Sequence, residues 1–121
     1  MKKILIIDEK VFTQVCKAIL ELEGYKIKTI KTFGEKLPMS TFGLIITSYP
    51  FCIPVLRRLK EFDIPKIILI DNLDKELIAL LQNIRQSFCM IKPIDYREFR
   101  ALVKSVIVNN NLSYQQSVSI L

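Results

Sequence analysis

Four places in the chain hold side chains that could do chemistry. They are the acids Asp8-Glu9, the hydroxyls Thr47-Ser48, Asp71 directly after Ile70, and Lys92 directly before Pro93. Two neighbouring carboxylates repel, each raising the other's pKa unless a cation sits between them. Lys92 can be that cation, giving an ion-pair network of Asp8, Glu9 and Lys92 that holds strand ends together without a ligand. Ser48 is a poor nucleophile at its free pKa and needs a base. The chain has no histidine, which removes the familiar base and, with it, His-dependent general acid/base chemistry. Cys16, Cys52 and Cys89 are widely spaced and odd in number. They form no Cys/His zinc pattern and read as buried thiols in a reducing compartment.

Each of these groups follows a short apolar run. Lys3 to Ile7 precedes Asp8, Leu44 to Thr47 precedes Ser48, Lys66 to Ile70 precedes Asp71, and Phe88 to Ile91 precedes Lys92. Runs this short, without alternation, suit parallel strands buried on both faces, and ligands gather at the carboxyl ends of such strands. A further strand, Tyr25 to Ile30, alternates Tyr25, Ile27 and Thr29 with Lys26 and Lys28, as at a lysine-protected sheet edge.

Helical spacing lies between the strands. Val11, Val15, Ile19 and Leu22 share one face of a helix over Val11 to Glu23, and Gly24 supplies its stop. Gly34 and Pro38 shorten the second helix to a turn or two. Pro54 opens a helix over Val55 to Phe62, and Asp74 caps one whose apolar stripe is Leu77 to Ile84. Tyr96 to Val108 buries Phe99, Leu102, Val103, Val106 and Ile107. Alternating strands and helices predict an α/β domain with a doubly wound sheet of five parallel strands; the pattern does not set the strand order, and the flavodoxin-like order 2-1-3-4-5 is the natural expectation for five strands. Residues 1–108 form the domain, and 109–121 are a tail or the start of a linker to an output domain, readable as a partner-dependent strand or a disordered end.

A length of 121 residues, half of them hydrophobic, allows one domain with a real core. No apolar run reaches membrane-spanning length and no secretory signal opens the chain, so a cytoplasmic location is expected. The formal charge of +6 is spread over scattered lysines and arginines, not gathered into the stripe that nucleic-acid binding needs.

The pieces Lys-Ile-Leu-Ile-Ile-Asp-Glu, Phe-Gly-Leu-Ile-Ile-Thr-Ser-Tyr-Pro, Ile-Pro-Lys-Ile-Ile-Leu-Ile and Ile-Lys-Pro resemble, in order and spacing, the receiver domain of two-component response regulators (CheY-like). The resemblance implies a magnesium ion on Asp8 and Glu9, a phosphoryl acceptor at Ser48, a switch hydroxyl at Ile70, a switch aromatic at Cys89, and a phosphate-neutralising Lys92. Only the acid pair and the lysine match the family. Serine replaces the acceptor aspartate, and isoleucine cannot hydrogen-bond to phosphate. The loop after Ser48 is short, and Asp71 stands where the family has a small residue, close enough to serve as a substitute metal ligand or simply as a helix-end acid.

The resemblance therefore implies a degenerate pocket of Ser48, Ile70, Asp71 and Lys92 with a vestigial metal pair, no catalytic residue, no enzymatic activity and no required cofactor. It further implies a partner or dimer face made from the fourth helix, fifth strand and fifth helix of the family: Lys75, Ala79, Phe88, Met90, Arg97, Arg100 and Lys104. The reading that follows is a pseudo-receiver, a phosphorylation-independent interaction module connected to transcription control. Two other readings are a phosphate-accepting receiver using displaced chemistry and a basic nucleic-acid-binding domain.

Overall fold

A computed structural model describes residues 2–32, 37–108 and, for the backbone, 118–120. The strands are β1 (Lys3–Ile7), β2 (Ile27–Ile30), β3 (Phe42–Ser48), β4 (Lys66–Ile70), β5 (Ser87–Ile91) and β6 (Val118–Ile120). The helices are α1 (Lys10–Leu22), α2 (Leu56–Glu61), α3 (Lys75–Gln82) and α4 (Tyr96–Val108). All strand pairs are parallel, in the order β2-β1-β3-β4-β5-β6. The expected 2-1-3-4-5 order is therefore present, extended by one strand that the sequence reading left among several fates for the tail. Within β6, Val118 pairs with Ser87 and Ile120 with Cys89. Of the region expected to hold a shortened second helix, residues 33–36 lie outside the described ones, and the described part carries one 3₁₀ turn, Met39–Thr41.

The sheet divides its side chains by parity, as the pleat requires. Ile4, Ile6, Leu44, Ile46, Ile67, Leu69 and Met90 meet α1 and α4 through Cys16, Leu20, Phe99 and Val103. On the other face, Leu5, Ile7 and Ile45 meet Cys52, Val55 and Leu59, while Ile68, Ile70 and Cys89 meet Leu77 and Leu81 of α3 and Ile84 just after it. All seven residues of β3 and all five of β4 are buried. The local signals act as their chemistry predicts: Asp74 accepts the Leu77 N–H at 2.8 Å as the cap of α3, Pro54 lies in the turn entering α2, and Gly24 has φ +93° after α1.

Two placements differ from what the residue types suggest. The Val11–Val15–Ile19–Leu22 face of α1 is not the face the fold buries: the helix buries Thr13, Cys16 and Leu20 and leaves Val11 69% and Leu22 87% exposed. The helix has a second face, Phe12, Thr13, Cys16 and Leu20, and packing against the sheet selects it. The other is Lys66, wholly buried at the start of β4. Its Nζ donates to the carbonyl oxygens of Phe62 and Arg85, joining the end of α2 to the turn before β5 and satisfying an otherwise costly buried ammonium.

Candidate site at the carboxyl edge of the sheet

Register fixes the site. Ile7 lies opposite Thr47, Ser48 opposite Leu69, and Ile70 opposite Ile91, so the residues following these strands share one edge. Thr47 is committed to structure, its hydroxyl donating to the Ile7 carbonyl at 2.6 Å between β1 and β3. Ser48 and Asp8 are both buried, and the Ser48 hydroxyl donates to Asp8 Oδ2. Asp8 Oδ1 accepts the backbone N–H of Glu9 at 2.8 Å. Both carboxylate oxygens are therefore engaged. Burial pushes the Asp8 carboxyl above its ordinary pKa of 3.8; the Ser48 and Glu9 hydrogen bonds and the charge of Lys92 pull against that shift, and the Glu9 charge adds to it.

Lys92 acts on Asp8 only at a distance. Among the described residues it makes no ion pair within 4.0 Å, and its ammonium lies over the Phe12 ring, 5.4 Å from the centroid. The expected contact network of Asp8, Glu9 and Lys92 is thus corrected to a buried Asp8–Ser48 pair under the longer-range field of a lysine held by an aromatic face. The Lys92–Pro93 bond is cis, as is Tyr49–Pro50. An open cavity of about 560 Å³ includes Asp8, Glu9, Ser48, Asp71 and Lys92 in its lining. Phe12, Tyr49, Phe51 and Tyr96 supply aromatic walls that the sequence reading missed. Their signal was position, since each lies within a helical turn or so of a site residue.

Ile70 does not join this lining; it is fully buried with Leu77 and Cys89. The three thiols are buried as expected, with burial pushing Cys16 and Cys52 up to about 12 and Cys89 to about 11. They are inert as nucleophiles. The expected partner face is changed at its centre. Lys75, Ala79, Arg97, Arg100 and Lys104 are exposed, but Met90 is buried and Phe88 packs half-buried on the same core. The outer edge of β5 carries β6.

Magnesium would find only two carboxylates here. That ion demands near-octahedral oxygen coordination, each Asp8 oxygen already accepts one hydrogen bond and Glu9 is exposed, so the pair would make a weak site completed by water. No group of three metal-ligating side chains occurs among the described residues.

The fold was compared with solved structures. A response regulator receiver domain protein from Methanospirillum hungatei superposes with a TM-score of 0.73 at 22% identity, covering 91% of this chain and 96% of that one. The fold is that of a receiver domain. A receiver domain protein from Clostridium thermocellum gives 0.72 at 22%, covering 94% and 100%. NtrX from Brucella abortus gives 0.75 at 16%, covering 93% of this chain and 28% of that longer one. No protein-family model matches the chain, and neither does any curated protein. Among the described residues of this receiver fold, no helix is long and apolar enough to cross a membrane.

Proposed function

We propose that this chain is a signal-transduction module of receiver fold that works without an aspartyl phosphate and regulates by binding another protein, in the setting of transcription control. The observation that carries the reading is the serine at the tip of β3, whose hydroxyl is bound to the buried Asp8 carboxylate. An acylphosphate needs a carboxylate nucleophile at the strand tip, and the buried Ile70 offers no hydroxyl to sense a phosphate. Such a domain signals by occupancy of its surface, with the cavity held in one arrangement.

Incubation with acetyl phosphate and magnesium, followed by intact mass measurement, is expected to show unmodified protein. An acid-labile gain of one phosphoryl group would overturn the reading. One observation favours a second reading, phosphoryl acceptance on Ser48: Asp8 Oδ2 already accepts the hydroxyl hydrogen and is placed to take the proton. That route would give an acid-stable adduct, lost in Ser48→Ala, so the same measurement separates the two.

A further inference from the structure

The outward face of α1 has the composition of an interface. Val11, Val15, Ala18 and Leu22 follow one another at intervals of four, three and four residues, the spacing of a coiled-coil seam. All four are exposed, and Thr13, Cys16 and Leu20 on the opposite side hold the helix to the sheet. An apolar groove of about 510 Å³ continues the face toward Tyr96 and Arg100 of α4.

Glu9 caps the amino end of α1, and within the helix the charged residues are Lys10 and Lys17 toward that end and Glu21 toward the other. The first turn has Lys10 and no acid, while the last turn has Glu21 and no base. Glu23 is held by Arg100 at 3.4 Å, which leaves Glu21 at that end. An antiparallel neighbour with the same charges would place its Glu21 near Lys10 and its Lys10 near Glu21, and would oppose the two helix dipoles favourably.

The geometry points to a second copy of this chain as that neighbour, the two α1 helices pairing antiparallel across a two-fold axis. The seam is symmetric under this operation. Val11 falls opposite the partner's Leu22, and Val15 opposite the partner's Ala18, with the small alanines at the centre permitting close approach. Lys10 and the partner's Glu21 then flank the seam on one side, twice by symmetry. Charge disfavours parallel pairing, which would set Lys10, Lys17 and Glu21 each against its own copy, whereas the antiparallel register brings only Lys17 near its copy. This pairing goes beyond the phosphate-independent reading and stands or falls separately from it.

Sedimentation velocity of the full chain from about 1 to 200 µM tests it. The wild type is expected to shift from monomer to dimer across that range. Ala18→Arg, at an exposed position, should keep the far-ultraviolet circular dichroism and weaken association by at least about thirtyfold. Lys10→Glu and Glu21→Lys should each weaken it by roughly threefold to tenfold, and the double reversal should restore it. A wild type that stays monomeric at the highest concentration would overturn the proposal and leave the face to an unlike partner. Dimerisation indifferent to Ala18→Arg and to the charge reversals would overturn it as well, because the contact would then lie elsewhere.

Discussion

At the scale of single residues, Asp8 and Ser48 form one unit, and their predictions follow from burial. Between 3.8 and its raised pKa, the Asp8 carboxyl holds more proton in the folded chain than in the unfolded one. Stability therefore falls as pH rises through that window, and the cost persists above it. Asp8→Asn removes the ionisation and can still accept one hydrogen bond, so a gain of roughly 1 kcal/mol is expected in urea unfolding near neutral pH, shrinking in acid. Ser48→Ala acts in the opposite sense. It leaves Asp8 Oδ2 buried without its donor, which should cost about 1 to 3 kcal/mol and raise the Asp8 pKa further. Ser48→Asp adds a carboxylate to a site that already holds a buried acid beside Glu9. The variant should lose stability without metal and regain about 2 kcal/mol in saturating magnesium, while the wild-type melting temperature, with only the weak two-carboxylate site, responds much less to the ion. The residue types of this site were legible in the sequence. The engagement was not: a lysine and two acids on one edge suggest an ion-pair network, yet side-chain reach and the Phe12 ring decide where the ammonium goes.

At the scale of elements, the strands were legible because a parallel strand buried on both faces has few other ways to be written, and β3 and β4 each hold a short apolar run, Leu44–Ile46 and Ile67–Ile70. Helix existence was legible too, from caps and stops at Asp74 and Gly24. Helix orientation was legible only where a single apolar face exists. In α4 the stripe from Phe99 to Val106 is the buried one, whereas α1 has a second face and the sheet selects it. Lys66 shows the same limit within a strand. A lysine at a strand's first position reads as exposed, but the carbonyls of Phe62 and Arg85 converge there and draw it in. Burial lowers its pKa from 10.5 to about 8, with Arg85 assisting and Asp63 opposing. Between those values the folded chain binds less proton than the unfolded one, so stability should rise with pH by up to about 1.4 kcal/mol per unit across that window. Lys66→Met should flatten the slope in urea titrations over the same range. An unchanged slope would mean that Lys66 is not the titrating group.

At the scale of the whole molecule, the two edges of the sheet are protected by different means. On the β2 side, Lys26 just before the strand and Lys28 within it are exposed, and charge discourages edge-to-edge pairing. Strand β5 reads Ser-Phe-Cys-Met-Ile, with no charge. Left as an edge it would present unpaired backbone groups beside apolar side chains, the combination that recruits other strands. Pairing of β6 with Ser87 through Cys89 removes that exposure by backbone hydrogen bonding. Truncation after Val108 therefore has two expected consequences. Loss of the short ladder should cost about 1 to 3 kcal/mol, at roughly 1 kcal/mol net per hydrogen bond, and the amides of β5 should lose hydrogen-exchange protection while those of β1 and β3 keep theirs. The uncovered edge should also produce growing, open-ended aggregates. Association through the seam of α1 would instead close at two copies, because a two-fold contact consumes both faces. Combining the truncation with Ala18→Arg separates these routes: aggregation should survive the substitution and dimerisation should not. Unchanged β5 protection in the truncated chain would show that β6 does not cover this edge in solution.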